Sequence, residues 1–301
     1  MQGRKPNLFL IGAMKSGTTY LSKLLNLHPA IFMSTPEEPS YFVQSEQLKK
    51  LWPAMWDRGI WRSEDRYLNL FEGAGDAIFL GEASTNYTKL PLVSGVSEKI
   101  YKFNSDARFI YLIRDPVDRT LSHYWHSVRY HANARTIICA LMEDKQFTDV
   151  SHYSMQVLPF LDRFDKSRVH VLTYEELTDN PRRTLSALYD WLGIGGAFVD
   201  DCEFDRPENV TPEVVRMATG FGLLPRLRQS RLGRVAVRQM PLSIRRMGLA
   251  FATTEVRRSS VDATEAVKYL QHIQRRQTYE LSRLLGRKFA EWTTLHQELP
   301  H

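Results

Sequence analysis

Apolar residues in this chain gather into short solid runs at Asn7–Ile11, Ala30–Met33, Ala77–Glu82, Ala107–Ile113 and Arg168–Tyr174. Between the runs they spread to helical spacing: after Thr18 as far as Leu27, from about Pro91 to Phe103, from Pro116 onward, and over Tyr153–Phe164. Another such stretch opens at Pro181, carries Leu185, Leu188, Tyr189, Trp191 and Leu192, and stops at Gly193. A solid apolar run is a strand buried on both faces, and strands alternating with helices imply a parallel sheet with right-handed crossovers. The pattern predicts an α/β fold of the P-loop type, three layers deep, with a central parallel sheet flanked by helices. Ligands of such sheets bind at the C-terminal rim of the strands.

The first run leads into Gly12-Ala13-Met14-Lys15-Ser16-Gly17-Thr18-Thr19, a turn bounded by two glycines that opens a helix. Backbone N–H groups at such a helix start can cradle a phosphate. In the nucleotide-binding pattern G-x-x-x-x-G-K-[ST] a lysine follows the second glycine, and the hydroxyl residue after it holds magnesium. Thr18 occupies that lysine position here, and Lys15 is the one cation inside the turn. A short phosphoanhydride suits this loop better than a triphosphate with its metal.

Two further rim segments carry polar chemistry. Ser34-Thr35-Pro36-Glu37-Glu38-Pro39-Ser40-Tyr41-Phe42 places two carboxylates between prolines, which deny the stretch a regular helix and make it a loop. Glu38 stands ahead of an aromatic pair, and Glu37 beside it is either a competitor for the same acid–base role or a surface carboxylate. Ala83-Ser84-Thr85-Asn86-Tyr87 forms a polar turn after the third run. The intervening 43–76 is rich in Trp52, Trp56, Trp61 and Tyr67, whose unrepeated spacing fits packing under a long connection.

The fourth run ends on Arg114-Asp115-Pro116, with Asp115 suited to cap the following helix and Pro116 to its first position. Arg114 at the strand end and Ser122 two turns into the helix are placed to meet one external phosphate, the arginine by its fork and the serine by its hydroxyl. Asp118 and Arg119 read as a solvated pair on the helix surface. His123, His126 and His131 do not share one face at ligand spacing, so they are taken as packing or surface residues and no metal is expected.

The remaining sequence narrows the class. Of 301 residues 43% are hydrophobic, enough for a substantial core and a single domain over 1–301. Cys139 and Cys202 are too few for a disulfide framework. No apolar run reaches the length of a membrane span, and the first strand begins close to Met1, so a cytoplasmic protein without a leader is the expectation. The net charge of +6 favours anionic ligands. Much of it sits in 205–260, where Arg226, Arg228, Arg231, Arg234, Arg238, Arg245, Arg246, Arg257 and Arg258 crowd together. That segment is expected to be a basic, mainly helical insertion. It is either a solvated face or a cover over an anionic substrate, with peripheral membrane contact through 226–258 as another use. No nucleic-acid motif accompanies it. A last helix over about Asp262–Leu285 packs back on the sheet, and oligomeric state is not legible.

Taken together, Lys15 to Thr19, Glu38 to Phe42, Gly81 to Tyr87, Arg114 to Tyr124 and the closing Leu285-Gly286-Arg287 resemble the sulfotransferases that use 3′-phosphoadenosine 5′-phosphosulfate (PAPS), in their bacterial form related to the heparan-sulfate enzymes. The resemblance implies that the loop Lys15, Ser16, Gly17, Thr18 and Thr19 binds the 5′-phosphosulfate and that Arg114 and Ser122 bind the 3′-phosphate. It also implies that Glu38 is the catalytic base beside Lys15, and that the acceptor is a hydroxyl, or an amine, on a carbohydrate-like, glycolipid or small-metabolite molecule. Ala83 and Ser40 stand where those enzymes often carry lysine and histidine, and their glycine-rich basic loop is not recognisable, which argues against heparan as the acceptor. Two other classes stay open at this point. A small-molecule kinase would need magnesium and a lysine after Gly17, and a non-catalytic protein would hold anionic ligands through its basic segment.

Overall fold

A computed structural model describes residues 4–131, 135–195, 212–218 and 253–298. Five parallel strands form its main sheet in the order β2-β3-β1-β4-β5: β1 Leu8–Leu10, β2 Ile31–Met33, β3 Phe79–Ala83, β4 Arg108–Ile113 and β5 Val169–Thr173. Every expected run therefore yields a strand, trimmed by a few residues at its ends. β1 lies in the middle, Leu8 in register with Gly81 of β3 on one side and Arg108 of β4 on the other. The loop after β1 consequently emerges at the centre of the rim, between the ends of its two neighbours.

The alternation of side chains along a strand divides the core into two layers. Leu8, Leu10, Ile110, Leu112 and Leu172 face one side, under Leu21, Leu24 and Leu25 of the helix Thr18–Leu25 and Leu185, Leu188 and Leu192 of the helix Pro181–Leu192. Phe9, Ile11, Phe109, Tyr111 and Ile113 face the other, under Ile100 of the helix Val96–Phe103, Val117 and Val128 of Pro116–His131, Val157 of Tyr153–Leu161 and Leu270 of Thr264–Leu285. Each such side chain contributes about 1.5–3 kcal/mol by leaving water, and burial on both faces explains why the strands read as unbroken apolar runs.

Local chemistry sets the element ends. The helix expected from Pro91 begins only at Val96, because Gly95 in the left-handed region (φ 74°) provides its start. Thr173 and Glu176 form a reciprocal capping box that opens the helix Tyr174–Asp179, satisfying two orphan N–H groups. Within 43–76 the chain makes short helices at Ser45–Leu51, Pro53–Asp57 and Glu64–Leu68. Trp56 and Trp61 stack there at 5.3 Å, and the Trp61 indole donates to the Trp56 carbonyl, which is the packing role expected of them.

The helical insertion expected over 205–260 falls for the most part outside the described residues. Val214–Ala218 (β6) and Thr253–Arg257 (β7) pair as an antiparallel ribbon, followed by a 3-10 turn at Arg258–Ser260. Arg226, Arg228, Arg231, Arg234, Arg238, Arg245 and Arg246 lie outside the described residues, as does Cys202, and Cys139 is exposed. No helix among the described residues is long and apolar enough to cross a membrane.

Candidate active site

Both glycines of the loop are required by their surroundings. Gly12 (φ 142°) lies so close to Thr88 that a Cβ would stand 2.3 Å from its hydroxyl, and Gly17 (φ 91°) abuts the Tyr174 ring, where a Cβ would meet carbons at 2.8 and 2.9 Å. Between them Lys15 takes a left-handed backbone (φ 71°). Gly17 caps the helix Thr18–Leu25 without a side-chain bond, so the first N–H groups of that helix have no partner from the cap. Ser16 is wholly buried and its hydroxyl has no hydrogen-bond partner, a polar group left for something the loop would hold. The Thr19 hydroxyl has another use: it donates to Glu37 Oε2 at 2.9 Å.

Lys15 sits in a strongly positive environment. Burial, followed by the charges of Arg114, Arg129, Arg258 and Arg119, holds its ammonium below the ordinary lysine range. Arg129 and Arg258 were not legible as site residues. One lies on the far part of the helix Pro116–His131 and the other at the end of the β6–β7 ribbon, so only the tertiary fold gathers them. Cations gathered in this way are stabilised by an anion among them.

Arg114 lies where expected, at the end of β4, half-buried. Its guanidinium is 5.0 Å from the Tyr174 ring centroid and 3.8 Å from Asp118, too long and too exposed an ion pair to hold it away from a ligand. Ser122 is half-buried on the helix beyond it. Asp115 accepts from Val117 N at 2.9 Å as the helix cap, and its other oxygen accepts from Leu295 N at 2.9 Å, fastening the C-terminal segment beneath the rim.

Arg119 corrects the surface reading given to it. It is fully buried, donating to Ser151 Oγ, the Phe147 carbonyl, Thr120 Oγ1 and the Met14 carbonyl, so it clamps the loop between Gly12 and Gly17. Burial lowers its pKa to about 10, still far above neutrality. His123 takes the packing role among those expected of it: it lies on Phe147 at 4.7 Å, and burial together with Arg119, Lys89, His126 and Lys15 keeps it neutral. The side chain of His131 lies outside the described residues. Among the described residues no group of three or more His, Cys, Asp or Glu side chains converges to hold a metal ion.

The carboxylates face the loop from the β2 and β3 ends. Glu38, in a left-handed conformation (φ 57°), donates its N–H to the Ala83 carbonyl, and its Oε1 accepts from Thr85 N at 3.0 Å and Thr85 Oγ1 at 2.6 Å. Its Oε2 is buried and has no partner, leaving one lone-pair face to accept a proton. Glu37 is half-buried against Thr19 rather than a solvated carboxylate, and burial raises its pKa. Beneath them Glu82 is fully buried and accepts from Tyr67 (2.5 Å), Tyr87 (2.8 Å) and Ser84 (2.7 Å), while Ser84 Oγ accepts from Ser40 N at 3.0 Å. This network fixes the turn that carries Glu38. Tyr41 and Phe42 belong to the aromatic packing around it, Tyr41 stacked on Tyr67 at 4.2 Å.

A parallel sheet whose central strand runs into a glycine-bounded loop at the start of a helix defines an α/β protein of the P-loop type. The sulfotransferase family model matches residues 6–197, and the chain belongs to that family. A crystal structure of a sulfotransferase from Alicyclobacillus acidocaldarius superposes with a TM-score of 0.67 at 21% identity, covering 96% of this chain and 99% of that one. Among curated proteins, the chain is 24% identical to human carbohydrate sulfotransferase 15 over 63% of its length and 44% of that protein's. It is 25% identical to human bifunctional heparan sulfate N-deacetylase/N-sulfotransferase 2 over 64% of its length and 22% of that protein's. With membrane-associated sulfotransferase kil1 of Dictyostelium discoideum it shares 30% identity over 42% of its length and 24% of that protein's. The chain thus spans less than half the length of these curated relatives.

Proposed function

We propose that this protein moves a sulfuryl group from PAPS to a hydroxyl, or an amine, of a carbohydrate-like, glycolipid or small-metabolite acceptor by in-line displacement, releasing 3′-phosphoadenosine 5′-phosphate (PAP). The observations that carry this reading are Lys15, under the charges of Arg114, Arg119, Arg129 and Arg258, and a Glu38 carboxylate with one buried, unpartnered oxygen. Ser16 to Thr19 would hold the 5′-phosphate by the helix start and the orphan Ser16 hydroxyl, and Arg114 with Ser122 would hold the 3′-phosphate. Lys15 would stabilise the charge that develops on the bridging oxygen as the nucleotide leaves. Glu38 accepts the acceptor's proton, and positioning with charge stabilisation supplies most of the acceleration, as in phosphoryl transfer. Arg258, delivered by the ribbon, brings one cation of the basic segment to this site. A kinase would place lysine after Gly17, where Thr18 stands.

Calorimetric titration of PAP against ADP, which lacks the 3′-phosphate, tests the donor. A charge-assisted contact of about 1.5–3 kcal/mol predicts roughly ten- to a hundred-fold preference for PAP, largely lost in Arg114→Ala. Equal binding of the two nucleotides, or ADP binding that tightens with magnesium, refutes the donor assignment. For the base, Glu38→Gln should leave PAP affinity intact while lowering turnover by at least about a hundredfold.

A further inference from the structure

The segment after β3 joins the candidate base to the phosphate loop. Thr85 holds the Glu38 carboxylate by two bonds. Three residues on, Thr88 Oγ1 donates to the Ile11 carbonyl at 2.6 Å, against Gly12. Leu90 is then pinned through both its N–H and its carbonyl to the Gln156 side chain, at 2.7 and 2.9 Å. Lys89 lies between these anchors with its backbone fixed on both sides.

Its side chain is buried, with 7% exposure, yet among the described residues its ammonium makes no hydrogen bond or ion pair. The Trp52 face, 4.6 Å away, is the contact it has. Removing an ammonium from water is costly, and one aromatic face offsets only part of that cost. The charged groups that act on it are Glu38 from the β2 loop and Arg119 from the helix Pro116–His131; Asp144, Lys145 and Asp149 line a cavity with it, and it shares neutral His123 as a neighbour with Lys15. Lys89 thus sits on a fixed backbone, almost wholly buried, under the charge of Glu38, and has Arg119 and His123 as neighbours in common with Lys15.

Resting on the sulfotransferase reading above, we propose that Lys89 is a second catalytic lysine, whose ammonium contacts the oxygens of the sulfuryl group between the phosphate loop and Glu38. In that step the acceptor oxygen forms a bond to sulfur while the bond from sulfur to the 5′-phosphate oxygen breaks. The electron pair of the broken bond stays on the phosphate oxygen facing Lys15, the acceptor proton passes to Glu38, and Lys89 keeps its proton throughout. Its role is to stabilise charge on oxygens that change their arrangement but not their number.

PAPS and PAP differ by the sulfuryl group alone, so paired calorimetric titrations isolate the contact without an acceptor. Lys89→Met should lower the ratio of PAPS to PAP affinity by about tenfold or more, with PAP affinity itself unchanged, and Lys89→Arg should restore the ratio. Burial lowers the Lys89 pKa to about 8. Wild-type affinity for PAPS should therefore fall severalfold between about pH 7 and about pH 9.5, with PAP affinity falling less. That arm needs no variant and decides alone if Lys89→Met does not fold. An unchanged ratio in a folded Lys89→Met, or parallel pH profiles for PAPS and PAP, overturns the proposal. Failure of the wild type to prefer PAP over ADP would instead overturn the donor reading on which it rests.

Discussion

Glu82 offers the sharpest quantitative test of how the site is held. Its carboxylate is fully buried, and burial, opposed by three hydroxyl donors and reinforced by Glu38, raises its pKa from an ordinary 4.5 to about 7. The native state therefore keeps a proton that the unfolded chain gives up above about pH 4.5. Stability from this group is present in full below that value and is lost as pH rises through about 7. Between about pH 5 and about pH 8 the loss integrates to about 2.5 kcal/mol. Glu82→Gln removes the titration while retaining a carbonyl oxygen for Tyr67 and Tyr87. Urea unfolding of both proteins, at both pH values, isolates the effect because every other titrating group cancels in the difference. With a denaturant slope near 3 kcal/mol/M, the midpoint of the wild type should fall by about 0.8 M relative to the variant on going from the lower pH to the higher. A wild-type-minus-variant difference that stays constant with pH, or grows in favour of the wild type, would refute the account of Glu82 as a carboxylic acid held by burial.

Two further outcomes follow from the loop. Gly17→Ala introduces a Cβ against the Tyr174 ring on a backbone at φ 91°, so it should destabilise by at least about 1–2 kcal/mol and weaken PAP binding, read by thermal melting and calorimetry. Arg119→Met should cost about 3 kcal/mol or more, because the buried Met14 and Phe147 carbonyls and the Ser151 hydroxyl lose a shared donor. An Arg119→Met protein that melts with the wild type and binds PAP equally would show that the clamp on Met14 does not matter.

The amino-acid sequence by itself determined the layered α/β architecture, the position of every strand in the parallel sheet, and the loop from Gly12 to Thr19. Those features are local: solid apolar runs, two glycines at a fixed spacing, and a cap at Asp115 express themselves within a few residues of their own position. The same locality placed Glu38 and Arg114 on the rim, since each follows directly from the end of a strand. Tertiary structure alone decided the rest of the site. Arg119 reads as a surface residue on its helix and becomes a buried clamp only because Phe147 and Ser151 fold over it. Glu37 looks solvated until the helix start brings Thr19 to it. Lys89, Arg129 and Arg258 come from a loop, a distant helical turn and a ribbon, and no spacing in the chain relates them to Lys15. Burial and charge proximity are properties of groups brought together across the fold, and a pattern along one strand or helix carries no record of them.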